Sequence, residues 1–106
     1  MRLTTPIKSK IMNLGNTIKD LRKSKGIKQA QLAEECSITQ SYLSNIEGNK
    51  KEPTLTTLQT ICKHLGIPLP VVFFLAMDES DVSEEKRDLF KILTPMMKNS
   101  LRESFF

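Results

Sequence analysis

Hydrogen-bonding side chains are concentrated in one short stretch of this sequence, TQSYLSNIEGNKK at residues 39–51. The polar residues there are small and uncharged: Gln40, Ser41, Ser44 and Asn45. A solvated helix face ordinarily carries Lys and Glu, which have better helix propensity and solubility. At roughly 100° per residue these four side chains fall within about 140° on one side of a helix. Tyr42, Leu43 and Ile46 take the opposite arc and are expected to be buried. Such a helix is anchored by its apolar stripe and presents groups that both donate and accept hydrogen bonds. That combination suits base edges. Gln and Asn pair with adenine in a bidentate way, Ser bonds either kind of edge, and short side chains let a helix lie deep in a major groove. Lys50 and Lys51 follow at once, where a loop could grip phosphate.

Other chemistries are poorly served. Cys36 and Cys62 are the only cysteines, and both sit within apolar helical patterns. They read as reduced thiols packed as small hydrophobes in a cytoplasmic protein, not as a disulfide framework. His64 is the only histidine, and positions i and i+2 of a helix point to different faces, so Cys62 and His64 do not make a catalytic pair. No three or four ligands stand at a spacing that would hold a metal. No glycine-rich loop cradles phosphate. The sequence therefore offers no catalytic residue, cofactor site or metal site, and an enzyme is not expected.

The 106 residues, 39% hydrophobic and 26% charged, suit one ordinary soluble domain with a modest core. The net charge of +4 is unevenly spread. Residues 1–51 hold ten Lys/Arg against four Asp/Glu, a balance of +6, whereas residues 52–106 hold six against eight, a balance of −2. The basic half contains the polar helix, as a nucleic-acid surface would. The N-terminal segment has bases but no apolar stretch, so a secretory signal is not expected there. The longest apolar run, VVFFLAM at residues 71–77, is far too short to span a bilayer. A cytoplasmic protein without membrane association is expected.

The elements that position these residues are all helical in pattern. Residues 1–12 read as a flexible basic arm. Asn13 is a suitable N-cap for a first helix carrying Leu14, Ile18 and Leu21, and Gly26 terminates it. A second helix runs from about Gln29 to Cys36. Thr39 caps the third, and Gly48 or Asn49 ends it in the left-handed conformation. Thr54 caps a fourth that buries Leu55, Leu58, Ile61, Cys62 and Leu65 before Gly66. Pro68 opens a fifth, which is apolar nearly all round. Asp81 or Ser83 caps a sixth through Leu93, and Thr94-Pro95 reads as the start of a seventh. No segment alternates as a strand does.

With IKDLRKSKGIKQAQLAEE followed by SITQSYLSNIEGNKKEPTLTTLQTICKHLGI, the chain resembles the lambda-repressor-like, Xre-type helix-turn-helix regulators of bacteria and phages. The match covers residues 14–73, and its ordered LR, G, Q, LA, S, I, E, P, L and LG positions are specific. The resemblance implies a five-helix DNA-binding domain over residues 13–77, with a C-terminal helical extension over residues 78–106. It implies that the second helix crosses the DNA backbone and the third reads the major groove. On that reading Gln29 bonds a phosphate, Gln40, Ser41, Ser44 and Asn45 meet bases or nearby phosphates, and Lys50 touches the backbone after the third helix. Tyr42 is half core and half phosphate ligand through its hydroxyl. Arg22 and Glu47 match a buried ion pair that ties the first helix to the third.

The sequence departs from the family pattern in three places. Ser37 stands where a turn glycine is common, which strains a left-handed residue or shifts the turn. Lys28 replaces the hydroxyl N-cap common before Gln29, giving up about 1 kcal/mol of capping and offering a phosphate contact instead. Glycine falls at position 48, one residue early.

The extension lies outside the resemblance. The fifth helix, with Val71 and Phe74, has apolar surface on more than one side and must be covered. Phe74, Phe90, Leu93, Met96 and Met97 are the candidate dimer interface, with folding back onto the same chain as the other possibility. The leading expectation is a sequence-specific transcriptional regulator acting as a homodimer on double-stranded DNA, without a small-molecule effector. The alternative is an antitoxin-type module that neutralises a partner protein and represses its own operon.

Overall fold

The computed structural model describes residues 13–78 and 82–106. The expected arm at residues 1–12 and the candidate cap Asp81 lie outside them. Among the described residues the fold is all-α, with six helices and one 3-10 turn: α1 (Leu14–Ser24), α2 (Gln29–Glu35), α3 (Gln40–Glu47), α4 (Leu55–Leu65), α5 (Leu69–Ala76), the turn Glu84–Lys86, and α6 (Arg87–Phe105).

The helix boundaries follow from local chemistry. Thr39 Oγ1 accepts the Tyr42 N–H at 3.0 Å and Thr54 Oγ1 accepts the Thr57 N–H at 3.1 Å, so both hydroxyls cap as expected. Gly66 closes α4 in the left-handed conformation at φ +73°. Pro70 sits in the first turn of α5, where a missing N–H costs nothing. Asn13 departs from expectation. Its side chain makes no cap bond to α1 and is engaged elsewhere.

The apolar stripes meet in one core. Ile18 and Leu21 of α1, Leu32 of α2, Leu43 and Ile46 of α3, Ile61 and Leu65 of α4, and Val72 of α5 are almost wholly removed from water. α1 packs on α3 and α5, and α2 packs on α3 and α4. This arrangement wedges α3 between α1 and α2 with its polar arc outward. Leu55, expected in the core, is instead largely exposed at the first turn of α4.

The extension corrects the sequence reading. Residues 87–105 form a single helix that continues through Pro95, not two helices divided at Thr94. Pro95 removes one backbone bond and crowds the preceding turn, at a cost of about 3 kcal/mol. Inward-facing residues lie on both sides of it. Phe90 and Leu101 are half-buried, Thr94 is buried, and Phe105 packs on the core, all along one inward stripe. Lys98 Nζ donates to the Met77 carbonyl, pinning the middle of α6 to the end of α5. The helix thus folds back on its own domain, yet Leu89, Ile92, Leu93, Met96 and Met97 remain exposed.

Candidate nucleic-acid interface

A buried charge network holds α3 from behind. Arg22 Nε donates to Glu47 Oε2 at 2.7 Å and Nη2 donates to Glu47 Oε1 at 3.0 Å. Both side chains are almost fully buried. The remaining guanidinium nitrogen, Nη1, donates to the Ile27 carbonyl at 2.8 Å, so the fork is used in three directions. The expected tie between the first and third helices is present.

The network runs further than the sequence indicated. Gln29, the first residue of α2, donates through Nε2 to Glu47 Oε1 at 3.0 Å. Its own Oε1 accepts from Gln40 Nε2 at 3.3 Å. The last residue of α3 is therefore linked through the start of α2 to the first residue of α3. Each amide nitrogen carries two N–H groups, so Gln29 and Gln40 both keep one for an outside acceptor, and Gln40 keeps its oxygen. The two side chains are hydrogen-bonded to each other in the free chain.

Gln40, Ser41 and Ser44 are exposed, while Asn45 and Tyr42 are half-buried, and Tyr42 packs on the core. Lys28 lies exposed beside Gln29 at one end of the polar arc. Lys50 and Lys51 lie exposed at the other end. Their backbone N–H groups both donate to the Asn45 carbonyl, at 2.8 and 3.2 Å, which curls the loop over the last turn of α3. Exposed polar residues of α3 are thus flanked in the chain by exposed lysines, Lys28 just before α2 and Lys50 and Lys51 just after α3.

The turn between α2 and α3 carries the strain the sequence implied. Ser37 is left-handed, at φ +58°, and the Ile38 N–H donates to the Ala33 carbonyl at 3.0 Å. After α3 the left-handed residue is Asn49, at φ +59°, not Gly48. Sequence reasoning missed the consequences of that placement, and it missed Gly15. A Cβ on Gly15 would lie 2.3 Å from the Ile46 carbonyl oxygen and 2.8 Å from that of Glu47. The available signal was a glycine inside a helix, which costs about 1 kcal/mol against alanine and marks close backbone approach.

The thiols offer no competing chemistry. Burial pushes the Cys62 thiol up to about 11, and burial with the nearby Glu35 carboxylate raises that of Cys36. Both remain protonated and poor nucleophiles at neutral pH. His64 is exposed, its Nδ1 meeting the Thr60 carbonyl at 3.0 Å and standing 3.8 Å from Cys36 Sγ. Among the described residues no group of His, Cys, Asp or Glu could hold a metal ion, and no single helix is long and apolar enough to cross a membrane.

Comparison with known proteins agrees with this geometry. A helix-turn-helix family model matches residues 18–72. The immunity repressor protein of Bacillus phage phi105 is 30% identical over 93 residues, covering 83% of this chain and 65% of the repressor. The ImmF control region 10 kDa protein of the same phage is 39% identical over 72 residues, covering 68% and 77% of the two chains. The crystal structure of the clp gene regulator ClgR from Corynebacterium glutamicum superposes with a TM-score of 0.62 at 26% identity, covering 82% of this chain and 93% of that one. The chain spans just under two thirds of the length of the immunity repressor. It belongs to the helix-turn-helix family in its lambda-repressor-like, Xre-type form.

Proposed function

We propose that this chain is a sequence-specific transcriptional regulator that reads the DNA major groove with α3, as a homodimer on a palindromic operator. One observation carries the reading. Gln40, Ser41 and Ser44 stand exposed on a helix whose first residue is hydrogen-bonded, through Gln29, to the buried Arg22–Glu47 pair at its end. A preorganised row of neutral donors and acceptors is what base recognition requires, and Lys28, Lys50 and Lys51 flank it where phosphates would lie. The phage repressor homologue supports the same assignment, with repression as the mode of control.

One domain of this size covers a half-site, and a twofold dimer places two reading helices one DNA turn apart, roughly 34–36 Å. The open apolar stripe of α6 is the surface we assign to the second copy. Selection of bound duplexes from a random pool tests the reading directly. A palindromic consensus is expected, and recovery of no preferred sequence overturns the proposal.

A further inference from the structure

We infer that Asn49 and Asn13 form a clasp that holds the exit of α3 and thereby positions the Lys50–Lys51 loop for phosphate. The inference rests on the DNA-binding reading above.

The starting observation is an asparagine in a left-handed conformation. Asn49 has φ +59°, where glycine is the default residue at a helix end and any other residue carries a conformational cost. Its side chain is used twice in return. The Gly15 N–H donates to Asn49 Oδ1 at 3.0 Å, and Asn49 Nδ2 donates to Asn13 Oδ1 at 3.1 Å. The Gly15 N–H belongs to the first turn of α1, whose amides have no partner within the helix. Asn13, the residue placed to cap it, makes no side-chain cap bond. Asn49 therefore caps α1 from 34 residues away.

Two further contacts anchor the clasp. The Asn13 N–H donates to the Ala76 carbonyl at 2.9 Å, so the residue that receives Asn49 is fastened to the end of α5. Gly15 lies directly on the last carbonyls of α3, with no room for a Cβ. The final turn of α3 is thus held against α1 by backbone contact and by the Asn49 side chain. Lys50 and Lys51 follow Asn49 immediately, their N–H groups folded onto the Asn45 carbonyl. The two side-chain bonds of Asn49 hold in place the residue from which those two cations lead off. An asparagine that merely ended a helix would be interchangeable with glycine, which adopts the same angles more readily.

The test is Asn49→Gly in the full chain, which keeps the left-handed turn and deletes both side-chain bonds. Affinity is measured for a selected duplex and a scrambled duplex across a salt series. Binding is expected to weaken roughly three- to tenfold on both. The slope of log K against log salt should become shallower by about one phosphate contact, ~0.9. Base preference should stay unchanged. Asn13→Ala should shift both quantities the same way, and the double variant should be no worse than Asn49→Gly alone. An Asn49→Gly protein with wild-type affinity and salt slope overturns the positioning role, even if its melting temperature falls. Amide exchange at Gly15 in the free protein reads the clasp independently of DNA. Exchange about tenfold faster in Asn49→Gly supports it, and unchanged exchange overturns it. A wild-type chain with no salt-dependent binding to either duplex would overturn the DNA reading and the positioning role together, while Gly15 exchange still decides whether the clasp exists.

Discussion

The Arg22 guanidinium holds both carboxylate oxygens of Glu47, at 2.7 and 3.0 Å, with the two side chains almost out of solvent. Removing one partner leaves a buried charge without its counterion. Arg22→Ala or Glu47→Ala should each cost about 3–5 kcal/mol in denaturant unfolding, and replacing both by apolar residues of similar volume should cost less. The single changes should also loosen Gln29, because Glu47 Oε1 accepts from it. A melting temperature unchanged in Arg22→Ala would contradict the tie.

On the proposed reading surface, two kinds of contact should respond differently to mutation. Gln40→Ala or Asn45→Ala should weaken binding to the selected operator by about 1–3 kcal/mol and relax base choice at the affected position. Lys50→Ala should weaken all sequences alike and reduce the salt slope by about one unit. Gln29→Ala removes the partner that orients Gln40, so it should lower both affinity and discrimination. Base preference untouched by the Gln40 and Asn45 changes would show that α3 is not the reading helix.

Ser37 carries backbone strain in the turn that joins α2 to α3, at φ +58°. A left-handed residue with a Cβ costs about 1–2 kcal/mol, and glycine costs the unfolded chain about 0.5–1 kcal/mol of extra entropy. Ser37→Gly should therefore stabilise the domain by about 0.5–1 kcal/mol, and Ser37→Val should destabilise it. Unfolding midpoints in urea for the pair would decide this, and equal midpoints would argue against a strained turn.

The Cys62 thiol gives a pH signature. Burial raises it from 9.0 to about 11 in the folded chain, so the unfolded chain loses this proton at lower pH than the folded one. The contribution to stability is fully present below about pH 9 and is lost as pH rises through about 11. Thiol alkylation of the native protein at neutral pH should be slow at both cysteines and should follow global unfolding. Rapid labelling of Cys62 under native conditions would show that the core is open there.

Much of this was legible in the sequence, for identifiable reasons. Apolar residues at helical spacing fixed α1 to α5, and Thr39, Thr54, Gly26 and Gly66 supplied boundaries through hydroxyl caps and left-handed termini. The Arg22–Glu47 pair came from the family resemblance, and Ser37 from departure from it. What stayed hidden depends on contacts distant in sequence. The bond of Asn49 to Gly15 spans 34 residues and replaces the local cap that Asn13 was expected to make. The Gln29 link to Glu47 spans 18. The continuity of α6 through Pro95 is likewise tertiary, since the local rule at Thr94-Pro95 says start and the inward stripe from Phe90 to Phe105 overrides it.

The outward face of α6 is where the dimer proposal can fail. Leu89 is 57% exposed, Ile92 66%, Leu93 43%, Met96 68% and Met97 50%, an apolar stripe that a lone soluble helix has no reason to keep. Ile92 was absent from the interface read off the sequence, and Phe74 and Phe90 are half-buried within the monomer, so the stripe is centred further around the helix than expected. Truncation after Met77 is a poor test, because it would also strip Phe105 from the core and Lys98 from the Met77 carbonyl. Charges placed on the outward face leave the inward stripe intact. Ile92→Glu with Met96→Glu should therefore keep the melting temperature of the monomer fold while converting a sedimenting dimer to a monomer. Operator binding should then require higher protein concentration, since one half-site with phosphate contacts alone stays near the non-specific range of about 10⁻⁴–10⁻⁶ M. A wild-type chain that sediments as a monomer at tens of micromolar, yet occupies its operator two to one, would sink the preformed dimer and spare the DNA reading. A small protein that co-purifies with the wild type and is lost from the glutamate variant would assign the stripe to a different partner and favour the antitoxin-type alternative.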